Sequence, residues 1–215
     1  MSAPLADRLR PKTIEDIIGQ PHLLGEGKPL RNIIRSGELP NMVFYGPPGV
    51  GKTTLASIIA KTTDRHLVKL NGTTAGTSDI KEVVAKLDTF LAPNGILLYL
   101  DEIQYFNKKQ QQSLLEYLED GRITLIASTT ENPYYYIYDA LLSRCSVFEF
   151  KHVDSQAIEE RVCNVASREF PERVFTLKQL VAMSGGNSKE ARYMVRDVVD
   201  ALVAFSEYIM RNQMS

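Results

Sequence analysis

The stretch Gly46–Thr54, with the sequence GPPGVGKTT, constrains the fold of this chain more than any other segment. It matches the phosphate-binding pattern G-x-x-x-x-G-K-[ST]. The apolar residues Met42–Tyr45 before it predict a buried strand, and residues 53–60 after it predict a helix with one apolar face. A strand, a glycine-rich loop and a helix in this order aim several backbone N–H groups at one point, which suits phosphate. A chance Gly/Pro-rich turn, the alternative, would not explain both flanking elements.

The loop also predicts which atoms meet a bound nucleoside triphosphate such as ATP. We expect Lys52 to reach the β- and γ-phosphates and the Thr53 hydroxyl to ligate Mg²⁺. All loop residues are candidates for nucleotide binding: Gly46, Pro47, Pro48, Gly49, Val50, Gly51, Lys52, Thr53 and Thr54. The loop predicts binding, but it does not say what the binding is for.

Strand and helix signals alternate along the first part of the chain. Apolar runs predict five strands, at 42–45, 66–71, 96–100, 123–127 and 146–150. Capping residues and helical spacing predict helices that start at Thr13 and Ser78-Asp79 and others over 29–36, 53–60 and 108–119. This alternation implies a three-layer αβα domain of the P-loop NTPase type, with a five-stranded parallel sheet and right-handed crossovers.

The pattern changes near residue 152, after which no strong strand signal remains. Helical patterns near 155–165, 177–183 and 188–208 predict a small all-α lid. We therefore expect a nucleotide-binding domain over 1–152, with an N-terminal helical segment over 1–40, and a helical domain over 153–215.

Composition excludes several classes of protein. The chain has 215 residues and a net charge of −1, so a contact with DNA would need a local basic patch. Two cysteines, Cys145 and Cys163, form no disulfide framework, and we expect reduced thiols. The first residues are too charged for a signal peptide, and the apolar run at 96–100 is too short to span a bilayer. These features predict a soluble, cytoplasmic protein without membrane partners.

A second motif, the acidic pair Asp101-Glu102, directly follows the apolar run at 96–100. Asp101 at the end of a strand would hold Mg²⁺, through water, and Glu102 would orient and deprotonate an attacking water. Alone, this pair would be better explained as a solvated acidic cap of the next segment. Its spacing from the phosphate loop favours a hydrolytic site.

Four segments together, 46–54, 101–102, 129–133 and 141–145, resemble the AAA+ ATPases of the clamp-loader clade. Within that clade, the chain is most similar to the family of Werner-helicase-interacting protein and its bacterial relatives. The similarity is dense from residue 4 to about 150 and also includes the segments 4–11, 18–20, 22–30, 106–108, 119–121 and 123–133.

The resemblance implies further roles. Thr130 matches sensor 1, with Asn132 as the near alternative, and Asn71 matches the position that can hold the catalytic Glu away from water. Arg144 matches the arginine finger, which reaches the γ-phosphate in a neighbouring subunit. An Asn before Gly in a turn and a surface Arg before an edge strand are the alternatives for Asn71 and Arg144.

Three further nucleotide contacts are implied at Ile17, Ile18 and Arg192. Arg192 is the best match to sensor 2, although the family's G-D-A/V-R is replaced by KEAR at 189–192. A helix-surface arginine is the alternative. Candidates for DNA contact are Lys108, Lys109 and the tyrosines at 134–136 and 138. The alternatives are that the lysines belong to a solvated helix start and that the tyrosines pack in a loop.

The expected function is therefore that of a Mg²⁺-dependent AAA+ ATPase. It would act on single-stranded or forked DNA in replication fork maintenance, recombination or repair, as a nucleoid-associated homo-oligomer with possible replication-protein partners. The alternative is a nucleotide-gated binding module with little turnover, a fragment without the family's oligomerisation domain. A P-loop nucleotide kinase is disfavoured, because no segment suits an acceptor and Glu102 would be unexplained.

Overall fold

The computed structural model describes residues 11–85, 94–119, 121, 123–153 and 157. Residues 20–152 form one compact unit, and the other described residues, 11–19, 153 and 157, belong to a second unit. The predicted helical domain, with Arg192, falls almost wholly outside the described residues. That domain and its boundary near residue 152 stay predictions.

The core of the larger unit is a five-stranded sheet in which every strand pair is parallel. The strands are β1 (Asn41–Tyr45), β2 (His66–Asn71), β3 (Ile96–Asp101), β4 (Ile123–Thr129) and β5 (Cys145–Glu149). Their order in the sheet is β2-β3-β4-β1-β5. The predicted five-stranded parallel sheet is therefore confirmed, and the strand that precedes the phosphate loop lies inside it.

Helices connect these strands in the described part of the chain. They are α1 (Pro21–Leu24), α2 (Pro29–Ser36), α3 (Lys52–Thr62), α4 (Thr77–Ala85), α5 (Lys108–Leu118), α6 (Pro133–Tyr136) and α7 (Asp139–Leu142). Helix α2 ends at Gly37, whose φ of 75° gives the left-handed cap that the sequence predicts. The short helices α1, α6 and α7 lack the repeated apolar spacing by which a helix is found in a sequence.

Apolar side chains cover both faces of the sheet. One buried cluster contains alternate residues of the strands, such as Val43, Leu98 and Leu125, which pack against residues of α4 and α5. Their neighbours Met42, Leu97 and Ile126 are equally buried but point to the opposite face. This arrangement confirms the three-layer α/β fold and explains why the inner strands β1, β3 and β4 are mostly apolar.

Two of the predicted helix starts, at Thr13 and at Ser78-Asp79, differ from what the structure shows. The segment after Thr13 forms only a 3₁₀ turn, Ile14–Asp16, because the Asp16 carboxylate accepts from the Lys12 and Thr13 N–H groups and Ile17 is extended. Helix α4 begins at Thr77, before the predicted cap, and the Asp79 carboxylate accepts from Gly76 N at 2.7 Å.

The described residues include no helix long and apolar enough to cross a membrane. Cys145 is a free, partly buried thiol whose pKa is raised by burial to about 12. Cys163 lies outside the described residues.

Candidate active site

The phosphate loop begins where β1 meets the residues that follow β5. Phe150 N donates to Tyr45 O at 2.7 Å, and Gly46 N donates to Thr129 O at 3.2 Å. A Cβ on Gly46 would lie 2.1 Å from Phe150 O, and its φ of 137° is accessible only to glycine. The loop is therefore anchored to two neighbouring strands through a position that excludes any side chain.

The loop runs directly into α3. Gly51 has a φ of 100°, and Leu55 N closes the first helical turn on Gly51 O at 2.8 Å. The N–H groups at the beginning of a helix have no acceptor within it. They carry the positive end of the helix dipole, so this junction favours an anionic group.

Lys52 is the most deeply buried cation of the described residues, at 8% exposure. Its Nζ donates to Gly46 O at 2.6 Å and to Pro47 O at 2.8 Å. Burial lowers the pKa of Lys52, against the opposing effects of Glu102 and Asp101. The ammonium group thus lies inside the loop, where phosphate oxygens would be stronger acceptors than the two carbonyls.

The candidate metal residues Thr53 and Asp101 meet through a third side chain. The Tyr99 hydroxyl lies 2.9 Å from Thr53 Oγ1 and donates to Asp101 Oδ1 at 3.1 Å. Ser128 of β4 also contacts Tyr99, at 2.9 Å, and donates to Asp101 Oδ1. A hydroxyl oxygen and a carboxylate are therefore held together at the carboxyl end of the sheet.

These oxygens fit the coordination chemistry of Mg²⁺. The described residues contain no group of three His, Cys, Asp or Glu side chains that could hold a metal by themselves. Mg²⁺ usually takes only one or two protein ligands, keeps several waters and binds substrate phosphates. Thr53 and Asp101 offer such a partial set, next to a loop suited to phosphate.

Glu102 follows Asp101 but has different surroundings. Its backbone is left-handed, with φ 54° and ψ 50°, and its Oε2 accepts from Gln104 Nε2 at 2.5 Å. Gly72 packs against this turn, since Gly72 N donates to Asp101 O at 2.7 Å and a Cβ there would lie 2.3 Å from Glu102 O. The backbone of the turn is fixed, whereas the carboxylate is held by one side-chain contact.

Asn71 is in register with Asp101 at the end of β2, the strand next to β3. Its Oδ1 accepts from Thr73 N at 2.8 Å and from Thr73 Oγ1 at 2.6 Å. Of the side chains that the structure describes, Gln104 donates to Glu102 and Asn71 does not. The role expected of Asn71 as a restraint on Glu102 stays a prediction.

Thr130 follows β4 immediately and is exposed. It comes directly after Thr129, whose carbonyl accepts from the first residue of the phosphate loop. Asn132, the alternative for the same role, uses its Oδ1 to cap α6 by accepting from Tyr134 N at 3.0 Å. The geometry thus leaves Thr130 with the freer side chain.

Arg144 lies just after α7 and 46% of its side chain is exposed. Its Nη1 donates to Ala140 O at 2.8 Å, and its Nη2 lies 3.4 Å from Glu119 Oε1. Both contacts are on the surface, so little holds this arginine against its own chain.

An aromatic surface is formed by exposed tyrosines on α6 and on the neighbouring 3₁₀ turn Ile103–Tyr105: Tyr105, Tyr134, Tyr135 and Tyr136. Lys108 Nζ lies 4.8 Å from the ring centroid of Tyr138.

Ile17 and Ile18, the two further candidates for nucleotide contact, are partly buried residues of the smaller unit.

Sequence reasoning missed three side chains of the site, Tyr99, Ser128 and Gln104. Tyr99 reads as one more apolar residue of a buried strand, yet alternation along β3 puts it on the same face as Asp101. That alternation was a usable signal. The contact of Ser128 depends on β4 lying beside β3, which no local pattern reveals.

A glycine-rich loop after an inner strand and a carboxylate pair after another strand of the same parallel sheet define a P-loop nucleotide-binding protein. Residues 42–153 match the model of the ATPase family associated with various cellular activities, AAA. The chain belongs to this family, as the resemblance predicted.

Related proteins agree with this assignment. The chain is 42% identical over 158 residues to replication-associated recombination protein A of Haemophilus influenzae, a match that covers 73% of this chain and 35% of that protein. It is 37% identical over 207 residues to the Coxiella burnetii protein of the same name, with 92% and 46% coverage. ATPase WRNIP1 of Dictyostelium discoideum is 37% identical over 197 residues, covering 88% of this chain and 22% of that protein. The chain thus spans less than half the length of these relatives.

Solved structures share the fold. The Thermotoga maritima RuvB Holliday junction branch migration motor superposes with a TM-score of 0.63 at 24% identity, over 93% of this chain and 72% of that one.

Proposed function

We propose that this chain is a Mg²⁺-dependent ATPase that acts on DNA structures in replication fork maintenance, recombination or repair. The observation that carries the hydrolytic part is that Thr53 and Asp101 meet at the Tyr99 hydroxyl beside the phosphate loop, with Glu102 next to Asp101 in the chain. The names of the relatives, with their reference to replication-associated recombination, support the biological part.

Binding would use the loop and two side chains. The loop N–H groups and Lys52 would donate hydrogen bonds to the phosphates, with Lys52 exchanging the carbonyls of Gly46 and Pro47 for phosphate oxygens. Mg²⁺ would neutralise charge on the phosphate oxygens. The Thr53 hydroxyl and the Asp101 carboxylate would hold the ion.

Hydrolysis would depend on Glu102, which would orient a water and accept its proton. Gln104 confines one carboxylate oxygen, so the other remains available for a water. Thr130 would contact the γ-phosphate or the water, and its freer side chain favours it over Asn132. Roles for Asn71, Ile17, Ile18 and Arg192 are proposed from the resemblance.

Arg144 would complete the site of a neighbouring copy. Its two surface contacts are weak, so releasing it would require little free energy. A guanidinium supplied in this way offsets negative charge in the transition state. This role implies a homo-oligomer.

DNA would be the partner of the assembled protein. Exposed tyrosines can stack on unpaired bases, and Lys108 and Lys109 can contact phosphates. We place the contact with single-stranded or forked DNA on this aromatic surface and the start of α5.

A mixing experiment tests both the site and the neighbour. Glu102→Gln would lack its own base but keep its arginine, and Arg144→Ala would lack the arginine but keep its base. Each alone should be nearly inactive, since an arginine finger contributes about 10³-fold or more. A mixture of the two should regain a clear fraction of wild-type ATPase activity.

Arg35→Ala is the matched control, because Arg35 is also an exposed arginine paired with a glutamate, Glu26. It should keep full activity. Wild-type rates should rise more than linearly with protein concentration and respond to forked DNA. ATP binding without turnover under all these conditions would contradict the proposal and favour the binding module.

A further inference from the structure

The Tyr99 hydroxyl is a buried polar group with an unusual set of neighbours. The residue is 1% exposed and lies in the middle of the apolar strand β3. Three oxygen atoms surround its hydroxyl, namely Thr53 Oγ1 at 2.9 Å, Ser128 Oγ at 2.9 Å and Asp101 Oδ1 at 3.1 Å. Two of these three belong to the candidate metal residues.

Donor and acceptor rules fix the direction of these hydrogen bonds. An ionised carboxylate only accepts, whereas each hydroxyl has one proton to donate. The Ser128 proton goes to Asp101. The single Tyr99 proton goes to Ser128 at 2.9 Å or to Asp101 at 3.1 Å, so in either case none is left for Thr53. Thr53 must therefore donate its own proton to the Tyr99 oxygen.

This direction has a consequence for the Thr53 oxygen. Because its proton points at Tyr99, its lone pairs are turned away from Tyr99. A hydroxyl binds a cation through a lone pair and must turn its proton away from the ion. Tyr99 thus presets the orientation of Thr53 and, by its contacts with Asp101 and with Ser128, the position of the Asp101 carboxylate.

We propose that Tyr99 is a positioning residue of the metal site, which holds Thr53 and Asp101 in the arrangement that Mg²⁺ requires. The inference rests on the proposed function, since it assumes that these two residues serve Mg²⁺. Partners of metal ligands usually orient the ligands, and their loss lowers metal affinity by about 10–100-fold.

If the hydrogen bonds of Tyr99 served only the stability of the fold, removal of its hydroxyl would have a different effect. A buried tyrosine needs a hydrogen-bond partner for its own hydroxyl, whatever the partner does. On that explanation, removal of the hydroxyl would alter the stability of the protein and leave its metal dependence unchanged. The two explanations therefore differ in a measurable quantity.

The test uses Tyr99→Phe, which keeps the ring and removes the hydroxyl. Binding of a fluorescent ATP analogue is measured in EDTA and across a Mg²⁺ titration, without turnover. We expect affinity in EDTA to change by less than about 2-fold, because the phosphate loop is intact. The Mg²⁺ concentration for half-maximal enhancement should rise about 10-fold or more.

Thr124→Val is the matched control. Thr124 is also a buried hydroxyl of the sheet, on β4, and it accepts from Arg65 Nη1 at 2.9 Å, away from the metal residues. Its removal should leave the Mg²⁺ titration at the wild-type value. Thermal melting of each variant shows whether it is folded.

Two results would overturn the inference. One is a wild-type Mg²⁺ titration in folded Tyr99→Phe, and the other is an equal loss of nucleotide affinity with and without Mg²⁺ in that variant.

If Tyr99→Phe does not fold, Ser128→Ala takes its place, because it removes a partner from both Tyr99 and Asp101. A smaller rise, about 3-fold, is then expected, and an unchanged titration would overturn the inference. Wild-type protein whose nucleotide binding ignores Mg²⁺ would instead contradict the proposed function.

Discussion

Asp101 and Glu102 are consecutive carboxylates, and the structure treats them differently. Asp101 ends β3 and accepts from two buried hydroxyls, Tyr99 of the same strand and Ser128 of the neighbouring strand β4. Glu102 lies in a left-handed turn beyond the sheet and accepts from one amide, Gln104, of the same turn. The first carboxylate is tied into the sheet, and the second is tied only to its own loop.

The difference matches the two tasks that we propose. A metal ligand must keep its place while phosphates bind and leave, so several fixed donors suit it. A base must accept a proton and adjust to a water, so a single replaceable contact suits it. The first three predictions below test this division between a fixed and a movable carboxylate, and the fourth tests how weakly Arg144 is held.

Glu102→Gln should have the largest effect on turnover. The amide keeps the size of the side chain but accepts no proton, so we expect ATP hydrolysis to fall by about 10²–10⁴-fold. Nucleotide affinity, measured with the fluorescent analogue, should stay within about 2-fold, because Glu102 does not belong to the phosphate loop. Glu116→Gln, on the exposed face of α5, is the control. Hydrolysis at the wild-type rate would remove Glu102 from its proposed role.

Asp101→Asn should act on metal binding and also on folding. The Mg²⁺ concentration needed for half-maximal nucleotide binding should rise about 10–100-fold. The free energy of unfolding, measured in urea, should fall by about 1.5–3 kcal/mol, since two hydrogen bonds exchange a charged acceptor for a neutral one. Glu102→Gln should change that free energy by less than about 1 kcal/mol. Equal destabilisation by both variants would contradict the difference in restraint.

Gln104→Glu should have a smaller effect, confined to turnover. It replaces the donor 2.5 Å from Glu102 with a second carboxylate, which repels the first. We expect kcat to fall about 10-fold, with nucleotide affinity and the Mg²⁺ titration unchanged. Gln112→Glu introduces the same charge at an exposed position of α5 and should have no effect. A shift in the Mg²⁺ titration would mean that the two carboxylates are not separately held.

Glu119→Gln should have the smallest effect. It weakens the 3.4 Å surface ion pair with Arg144, and such exposed pairs contribute about 0–1 kcal/mol. The free energy of unfolding should therefore change by less than about 1 kcal/mol. ATPase activity should stay the same or rise slightly, because Arg144 becomes easier to release. A clear loss of activity would indicate that Glu119 positions Arg144 for its role.

Much of the fold could be predicted from local patterns. Each predicted strand lies within a residue or two of an observed one. The inner strands β1, β3 and β4 are easily found, because a strand buried on both faces forms an apolar run. The loop and Asp101-Glu102 were found because their chemistry requires fixed residue types at fixed spacing. The short helices α1, α6 and α7 were missed, since one turn of helix has no apolar repeat to detect.

The finer structure of the site was harder to predict. Thr53, Tyr99 and Ser128 belong to three separate segments, which meet only because β4 lies between β1 and β3. No local pattern encodes that order. The contact of Gln104 with Glu102 depends on a left-handed backbone at a residue that is not glycine, a conformation that sequence rarely predicts.

The close approach of Gly46 to Phe150 has a consequence for synthesis on the ribosome. The first residue of the phosphate loop packs on a carbonyl just beyond β5, and β5 pairs only with β1 in the described sheet. Contacts between segments so distant in sequence form late, after the intervening chain has been made. A nascent chain that has translated its glycine-rich loop should therefore be unable to retain nucleotide until residue 150 has left the exit tunnel. Arrested chains of increasing length should gain nucleotide binding in one step at that point.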